Sequence, residues 1–486
     1  MRSVDRAGSG PSGGHPGRPS LRTWLRPGMG VKRWLLVVFL GELGLALAGA
    51  LVLRQVYRDI EVEGPLQALL FLVTLQFLPY AARGAILAAL GTGLFLYGSL
   101  RLIQALTDPL RGGDQDQPLV EVIYQKRFLA RGPRIVAIGG GTGLSVLLRG
   151  LKEHTSNLTA IVSVADDGGS SGVLRGVLGV PPVGDIRNCL VALADAEPLM
   201  GRLLQYRFPE PEAGREPEEP AEGTADPERT AARKGTPAAA DRRAPVDRLA
   251  GHAVGNLLIA AMAAVEGGDF EEGVRQMNRV LAVRGRVLPV SPIPLTLHAR
   301  LRDGRTIDGQ SAIARSFGIE AIWLTPEGVP VSREAIAAIE EADAIVLGPG
   351  SLFTSVLPPL LLPPIREAVA AADAVRIYVC NVATQLGETS GLDLADHVEA
   401  LARTVGPGLV DVVLANSALA PASDGPTEPV RLRWPPAVAP EPRLVLEAVV
   451  DPANPHHHEP GRLAAAVLGI VEAERRARRR SAARSA

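Results

Sequence analysis

The run RIVAIGGGTGLSVLLRGL, residues 134–151, passes from an apolar, strand-like stretch through three consecutive glycines directly into a helical pattern. A strand that turns this abruptly into a helix belongs to an α/β layer architecture. Glycine suits such a turn because the backbone must bend tightly where a Cβ would clash. The same arrangement recurs. Strand-like runs lie at 160–165, 344–347, 375–380 and 410–415, and helical patterns at 143–151, 188–197, 252–265, 270–281, 333–341 and 397–403. Strands alternating with helices predict a mostly parallel, doubly wound sheet.

The flanks of this domain read differently. Residues 1–30 are rich in Gly, Pro, Ser and Arg and are expected to be disordered, since they cannot bury a core. Apolar runs at 34–53 and 84–103 are each long enough to span a bilayer, so residues 31–106 are expected to form a two-helix transmembrane hairpin. Glu42 interrupts the first run and is expected to face the partner helix. The stretch 66–80 is apolar but short, contains Gln67 and Gln76, and reads as an interfacial helix. Basic residues flank both outer ends: Arg22, Arg26, Lys32 and Arg33 before the first run, Arg101, Arg111, Lys126 and Arg127 after the second. That pattern places both ends in the cytoplasm and the protein at the inner membrane. The main domain is expected over 133–471. A Pro/Glu/Ala/Arg-rich insertion at 209–246 has no apolar period and is expected to be disordered, and a basic tail follows at 472–486. Net charge is −1 and aromatics are 4%, which together argue against a nucleic-acid partner. The only two cysteines, Cys189 and Cys380, sit in apolar stretches and read as small buried hydrophobes rather than a disulfide framework.

Six polar or glycine-rich clusters carry the chemistry, most of them directly after strands, where open α/β sheets place ligands. In the first, Gly139, Gly140, Gly141, Thr142 and Gly143 open a helix whose free N–H groups and dipole suit an anion. A tight βα turn alone would also produce this pattern. In the second, VSVADDGGSSGVLR, Asp166, Asp167 and Gly168 end a strand. Its carboxylates can bind a metal, accept ribose hydroxyls or act as a general base, or simply cap a helix. The third, PPVGDIRNCLVAL, presents Asp185, Arg187 and Asn188. Asp and Asn are ordinary N-caps, whereas Arg187 can fork onto a phosphate or carboxylate. The fourth, GHAVGNLLIAAMA, places His252 and Asn256 at a helix start. The fifth, AIVLGPGSLFTSVLPPLL, repeats the strand–glycine–helix pattern with Gly348, Gly350 and Ser351, and predicts a second phosphate cradle. The sixth, YVCNVATQLGETSG, contributes Asn381, Thr384, Gln385, Glu388 and Thr389. Together they predict a site for a phosphate-bearing ligand.

The blocks GGGTGLSVLLRGLK, VSVADDGGSSGVLR, GDIRN, GHAVGNLLI, GPGSLFTSVLP and NVATQLGET, in this order, resemble the YvcK family of bacterial gluconeogenesis factors. That family is distantly related to the CofD 2-phospholactate transferases. The membrane hairpin resembles its long-form members. The resemblance implies a Rossmann-like domain that binds UDP-sugars, particularly UDP-N-acetylglucosamine, and a role in cell shape and envelope maintenance during gluconeogenic growth. It implies that residues 140–143 and 348–351 face the nucleotide phosphates, with Asp166, Asp167, Asp185, Asn188 and Asn256 in the same cleft. The partners it implies are the nucleotide-sugar, the membrane, enzymes of envelope synthesis or a kinase, and a second copy of the chain. Three positions depart from the family: Leu392 and Phe353 replace an aromatic and a tyrosine, and His457, His458 and Glu459 stand where the family carries Arg-His-Asp. No catalytic residue is assigned. The rival readings are a Mg²⁺-dependent phosphotransferase using Asp166 or Asp167, and an NAD(P) oxidoreductase. The oxidoreductase fits poorly because the acidic residues lie too far beyond the glycines and inside a Gly/Ser loop.

Overall fold

The computed structural model describes residues 128–194, 198–209, 249–417 and 427–485, with isolated positions before residue 98. Residues 129–486 form one compact unit. The predicted membrane segments lie almost entirely outside the described residues, as does the predicted insertion beyond Pro209. Among the described residues no helix is long and apolar enough to cross a membrane.

Seven strands make the central sheet: β1 (Ile135–Gly139), β2 (Leu158–Val162), β3 (Arg286–Pro289), β7 (Ala344–Leu347), β8 (Val375–Val379), β9 (Val412–Asn416) and β10 (Arg443–Glu447). Their spatial order is β3-β2-β1-β7-β8-β9-β10, and every neighbouring pair is parallel. From β1 the chain moves outward one way through β2 and β3, then restarts at β7 on the other side of β1. This is the Rossmann-like arrangement, with the reversal between β1 and β7. β1, β2, β7 and β9 are buried at every position, as strands covered by helices on both faces must be.

The helices are α1 (Gly141–Leu151), α2 (Gly169–Leu178), α3 (Gly184–Leu193), α4 (Pro198–Gln205), α5 (Val254–Val265), α6 (Phe270–Val280), α7 (Gln310–Ile313), α8 (Arg333–Glu340), α9 (Leu357–Leu361), α10 (Pro363–Ala371), α11 (Leu394–Val405) and α12 (Pro460–Ser485). α1 shows why this sequence holds. It buries Leu144, Leu147, Leu148 and Leu151, which recur at helical spacing on one face. Each such side chain contributes roughly 1.5–3 kcal/mol when removed from water. Both cysteines are free and buried as expected, and burial pushes the Cys380 thiol up to about 12.

Three elements escape the periodicity. Between β3 and β7 the chain builds an antiparallel sheet of order β5-β4-β6 from β4 (Thr296–Leu301), β5 (Thr306–Asp308) and β6 (Ile319–Thr325). Its strands alternate buried and open positions, a weaker signal than a fully apolar run. α2 forms from GSSGVLRGVL, which reads as a loop because glycine disfavours helix. The stretch from 472 is not a separate tail: α12 runs unbroken through it, and Arg475 and Arg478 pair with Asp343 and Asp373. A hairpin of β11 (Val450–Asp451) and β12 (Asn454–His458) precedes that helix.

Candidate functional site

A cavity of about 460 Å³ opens at the carboxyl ends of β1 and β7, where the strand order reverses. This is where open α/β sheets hold ligands, and the volume lies in the range of small-molecule pockets. Loops after four strands line it: residues 140–143 after β1, Asp166 after β2, Gly350, Ser351 and Ser355 after β7, and Asn381, Thr384 and Gln385 after β8. Asp185 enters from the first turn of α3, Gln310 from α7, and His456, His457 and His458 from β12, with Thr427 beside them.

The two glycine loops press against each other. A Cβ on Gly143 would stand 2.6 Å from the Pro349 carbonyl oxygen, and one on Gly350 would stand 3.1 Å from that of Gly140. At Gly141 the backbone is also left-handed, with φ +69°. Beyond this contact the loops differ. The N-cap of α1 is Gly140, which has no side chain of its own to cap the helix. The first N–H groups of a helix have no acceptor within it. That of Gly141 donates to Asp185, while Thr142 and Gly143, next in the same turn, line the cavity. The positive end of the α1 dipole therefore faces the cavity, supplying the donors the sequence predicts for an anion.

Gly350 and Ser351 of the second loop line the cavity, but several of the donors around them are already used by the protein itself. Gly350 N donates to Asn381 Oδ1 at 3.2 Å, and Asn381 Nδ2 returns a bond to Gly350 O at 2.9 Å. The helix that follows, Leu352–Val356, is a π-helix. Its Phe353 and Thr354 N–H groups both donate to Glu388 Oε1, at 2.6 and 3.0 Å, and Thr354 Oγ1 donates to Glu388 Oε2 at 3.0 Å. Glu388 is 4% exposed and lines no part of the cavity. Burial pushes its carboxyl up to about 7 despite three donors that favour the charge. Its two oxygens serve as built-in acceptors at this helix start.

Two carboxylates stand on the floor beside the first loop. Burial raises Asp166, opposed by the Gly168 N–H and the Ser171 hydroxyl. Asp185 keeps some surface open to the cavity but is packed deeply, and burial first, then repulsion from Asp166, push it up to about 6. Two carboxylates with ligand phosphates suit Mg²⁺, which rarely takes an all-protein cage. Among the described residues no group of three or more His, Cys, Asp or Glu side chains could hold a metal by itself.

The remaining predicted residues fall elsewhere. Asp167 turns away and accepts from Ser311 N at 2.9 Å, tying the antiparallel sheet to the loop after β2. Gly139 ends β1, Gly168 is the N-cap of α2 and Gly348 precedes Pro349, and none of the three lines the cavity. Arg187, Asn188, His252 and Asn256 do not line the cavity. His252 and Asn256 meet at Ser170, whose Oγ lies 3.0 Å from His252 Nδ1 and accepts from Asn256 Nδ2 at 2.9 Å, and Arg187 donates to Asn188 Oδ1 at 3.0 Å. Gln310, Ser355, Thr427 and His456 line the cavity without a strand–glycine signal to announce them. His458 donates from Nε2 to Cys380 O at 3.3 Å, and burial pulls it down to about 4, so it is neutral.

Comparison with known proteins agrees with this architecture. The family model described as 2-phospho-L-lactate transferase CofD matches residues 135–430. The gluconeogenesis factor of Bacillus subtilis is 47% identical over 287 residues, covering 59% of this chain and 79% of its own. The provisionally named gluconeogenesis factor of Nostoc sp. is 44% identical over 400 residues, 81% of this chain and 78% of its own. A crystal structure of a UPF0052-family protein from Bacillus halodurans superposes with a TM-score of 0.58 at 39% identity, covering 70% of this chain and 99% of that one.

Proposed function

This chain belongs to the CofD family, alongside the gluconeogenesis factors, and from that premise we propose that its cavity binds the diphosphate of a UDP-sugar, such as UDP-N-acetylglucosamine, and holds it without turnover. The observation that carries the reading is the start of α1 at the strand reversal, where Thr142 and Gly143 line the cavity and only the Gly141 N–H is used, by Asp185, while the neighbouring helix start gives its Phe353 and Thr354 N–H groups to Glu388. An anion bound at α1 gains donors and dipole without a nucleophile. The cavity offers no assembled triad among the described residues. Ser351 Oγ accepts from Gln385 Nε2 at 2.7 Å, and no histidine is recorded in hydrogen-bond contact with it or with Ser355. Thr427 meets His456 Nδ1 at 3.1 Å, but no described carboxylate backs that imidazole. A ligand held this way reports the supply of envelope precursor, which fits a regulator of envelope synthesis attached to the inner membrane and acting during gluconeogenic growth.

One observation favours a second reading, a Mg²⁺-dependent phosphotransferase. Asp166 adds to the cost of ionising Asp185 beside the first loop, and a cation held between them would offset that cost, supplying charge neutralisation to ligand phosphates. Incubating the protein with Mg²⁺ and UDP-N-acetylglucosamine, with calorimetry and product separation, decides between the two. Binding with intact ligand supports the regulator. Release of UDP or a sugar phosphate, abolished by Asp185→Asn, would replace it with the transferase. Absence of binding would remove both.

A further inference from the structure

The antiparallel sheet has one face in the core and one face open. Leu297, Ala299, Ile322 and Leu324 are buried, and Thr296, His298, Trp323 and Thr325 alternate with them on the other face. Register brings reactive side chains together there. His298 of β4 pairs with Asp308 of β5 on one side and with Trp323 of β6 on the other, while Thr296 pairs with Thr325. Thr325 is therefore the diagonal neighbour of His298, within reach of its ring.

The side chains complete this placement. His298 Nδ1 lies 2.6 Å from Asp308 Oδ1, and His298 Nε2 lies 2.7 Å from Thr325 Oγ1. A carboxylate only accepts, so in the neutral ring Nδ1 carries the proton and Nε2 accepts from the Thr325 hydroxyl. Trp323 stacks on the imidazole, with centroids 5.4 Å apart and planes 12° from parallel, which holds the ring in this orientation. A hydroxyl on one imidazole nitrogen and a carboxylate on the other is the order of groups that activates an oxygen nucleophile. A cation stands close by. Arg175 of α2 donates from Nη2 at 2.7 Å to the hydroxyl of Thr296, the residue directly opposite Thr325. Cross-strand partners lie about 5 Å apart, so positive charge is at hand where a carbonyl attacked by Thr325 would become an oxyanion. The Asp308 side chain is 69% exposed, and a contact this exposed adds little to stability, so holding the sheet together does not account for the cluster.

We infer that Thr325, His298 and Asp308 form a second reactive centre, an esterase-type triad in which Thr325 is the nucleophile, His298 the base and Asp308 the positioning carboxylate. Its substrate class is a carboxylic ester with a flat or apolar group, since the partly exposed Trp323 ring lies beside the triad. In the first step Thr325 Oγ bonds to the acyl carbon and its proton passes to His298 Nε2. The bond from that carbon to the alcohol oxygen then breaks as the oxygen takes the proton from Nε2. In the second step water adds to the acyl-threonine and gives a proton to Nε2, which returns it to Thr325 Oγ as the carboxylic acid leaves. None of Thr325, His298 and Asp308 lines the cavity, and the inference does not rest on the ligand proposed there.

The test is hydrolysis of p-nitrophenyl acetate by the full-length protein, read as p-nitrophenolate release and as the mass of the peptide that carries acetyl. Release with acetyl on Thr325 is expected, and kcat is expected to fall about a hundredfold in Thr325→Val and in His298→Gln. Asp308→Asn is expected to lower kcat about tenfold with KM unchanged, because it disturbs the base and not the substrate. Thr325→Val keeps the branched shape and Asp308 is exposed, so both variants retain the sheet and the wild-type urea midpoint. Release that is equal in wild type and Thr325→Val, or acetyl found on a residue other than Thr325, would overturn the inference. So would a change in Asp308→Asn confined to KM or to the urea midpoint, which would make the cluster a structural clip.

Discussion

The loops after β1 and β7 are nearly the same in sequence grammar and differ in how many of their donors the protein itself uses. Both run from a buried strand through glycines into a helix, at residues 139–143 and 348–351. After β1 the Gly141 N–H goes to Asp185, while Thr142 and Gly143 of the same turn line the cavity. After β7 the N–H groups of Gly350, Phe353 and Thr354 are taken by Asn381 and Glu388. A helix start attracts an anion only while its donors are unspent. The two loops therefore differ in how many of their donors the protein itself uses, and they are packed against each other at Gly143 and Pro349.

The comparison breaks most visibly at Gly143, where the loops meet. Gly143→Ala puts a methyl into the Pro349 carbonyl, whose backbone cannot yield as a flexible side chain would. Overpacking of this kind costs about 1–3 kcal/mol in stability. Displacement of the open turn is expected to weaken UDP-N-acetylglucosamine at least a hundredfold by calorimetry. Retention of wild-type affinity would mean that the two loops need not touch.

Glu388→Ala attacks the loop after β7 instead. It leaves two buried N–H groups without an acceptor, at about 1–3 kcal/mol each. A lower urea midpoint is therefore expected, with a loss of affinity of about tenfold because the wall moves while the α1 donors remain. Equal losses of affinity in Gly143→Ala and Glu388→Ala would show that both loops hold the ligand directly.

The smallest effect on the ligand, and the most specific to the wall, is in pH. Glu388 ionises near 4.5 when exposed and at about 7 in the folded protein. As pH rises, the unfolded chain gives up this proton first. The contribution of Glu388 therefore favours folding fully below about 4.5, declines between there and 7, and is level above. At 1.36 kcal/mol per unit the swing is on the order of 3 kcal/mol. Urea unfolding of wild type and Glu388→Gln at pH 5 and pH 8 measures it. Wild type is expected to lose more stability than the variant over that interval, with Asp185 adding the same slope to both. Parallel losses would place the titration elsewhere.

Much of the scaffold was legible because its signals are local. β1, β2, β7, β8 and β9 are apolar runs bounded by polar or glycine-rich residues, and the strand at 344–347 coincides with its predicted limits. Helices α1, α5, α6, α8 and α11 were readable from apolar spacing. The antiparallel sheet was not, since its strands alternate and owe their place to bonds such as Asp167 to Ser311, 144 residues apart. The same applies to Asp167 and Glu388, which look like ligand residues in sequence. Both are acceptors, but for N–H groups of their own chain.

What the sequence determines by itself is where backbone N–H groups are offered: strand, glycine turn, helix, repeated along the sheet, with small residues where loops must touch. What the tertiary structure alone decides is which of those offers is already taken. Asn381 lies 31 residues from Gly350 and Glu388 lies 35 from Phe353, and neither spacing marks a contact. A donor is satisfied by whichever acceptor comes within about 3 Å, so the difference between a ligand site and a wall depends on packing across the sheet rather than on the motif.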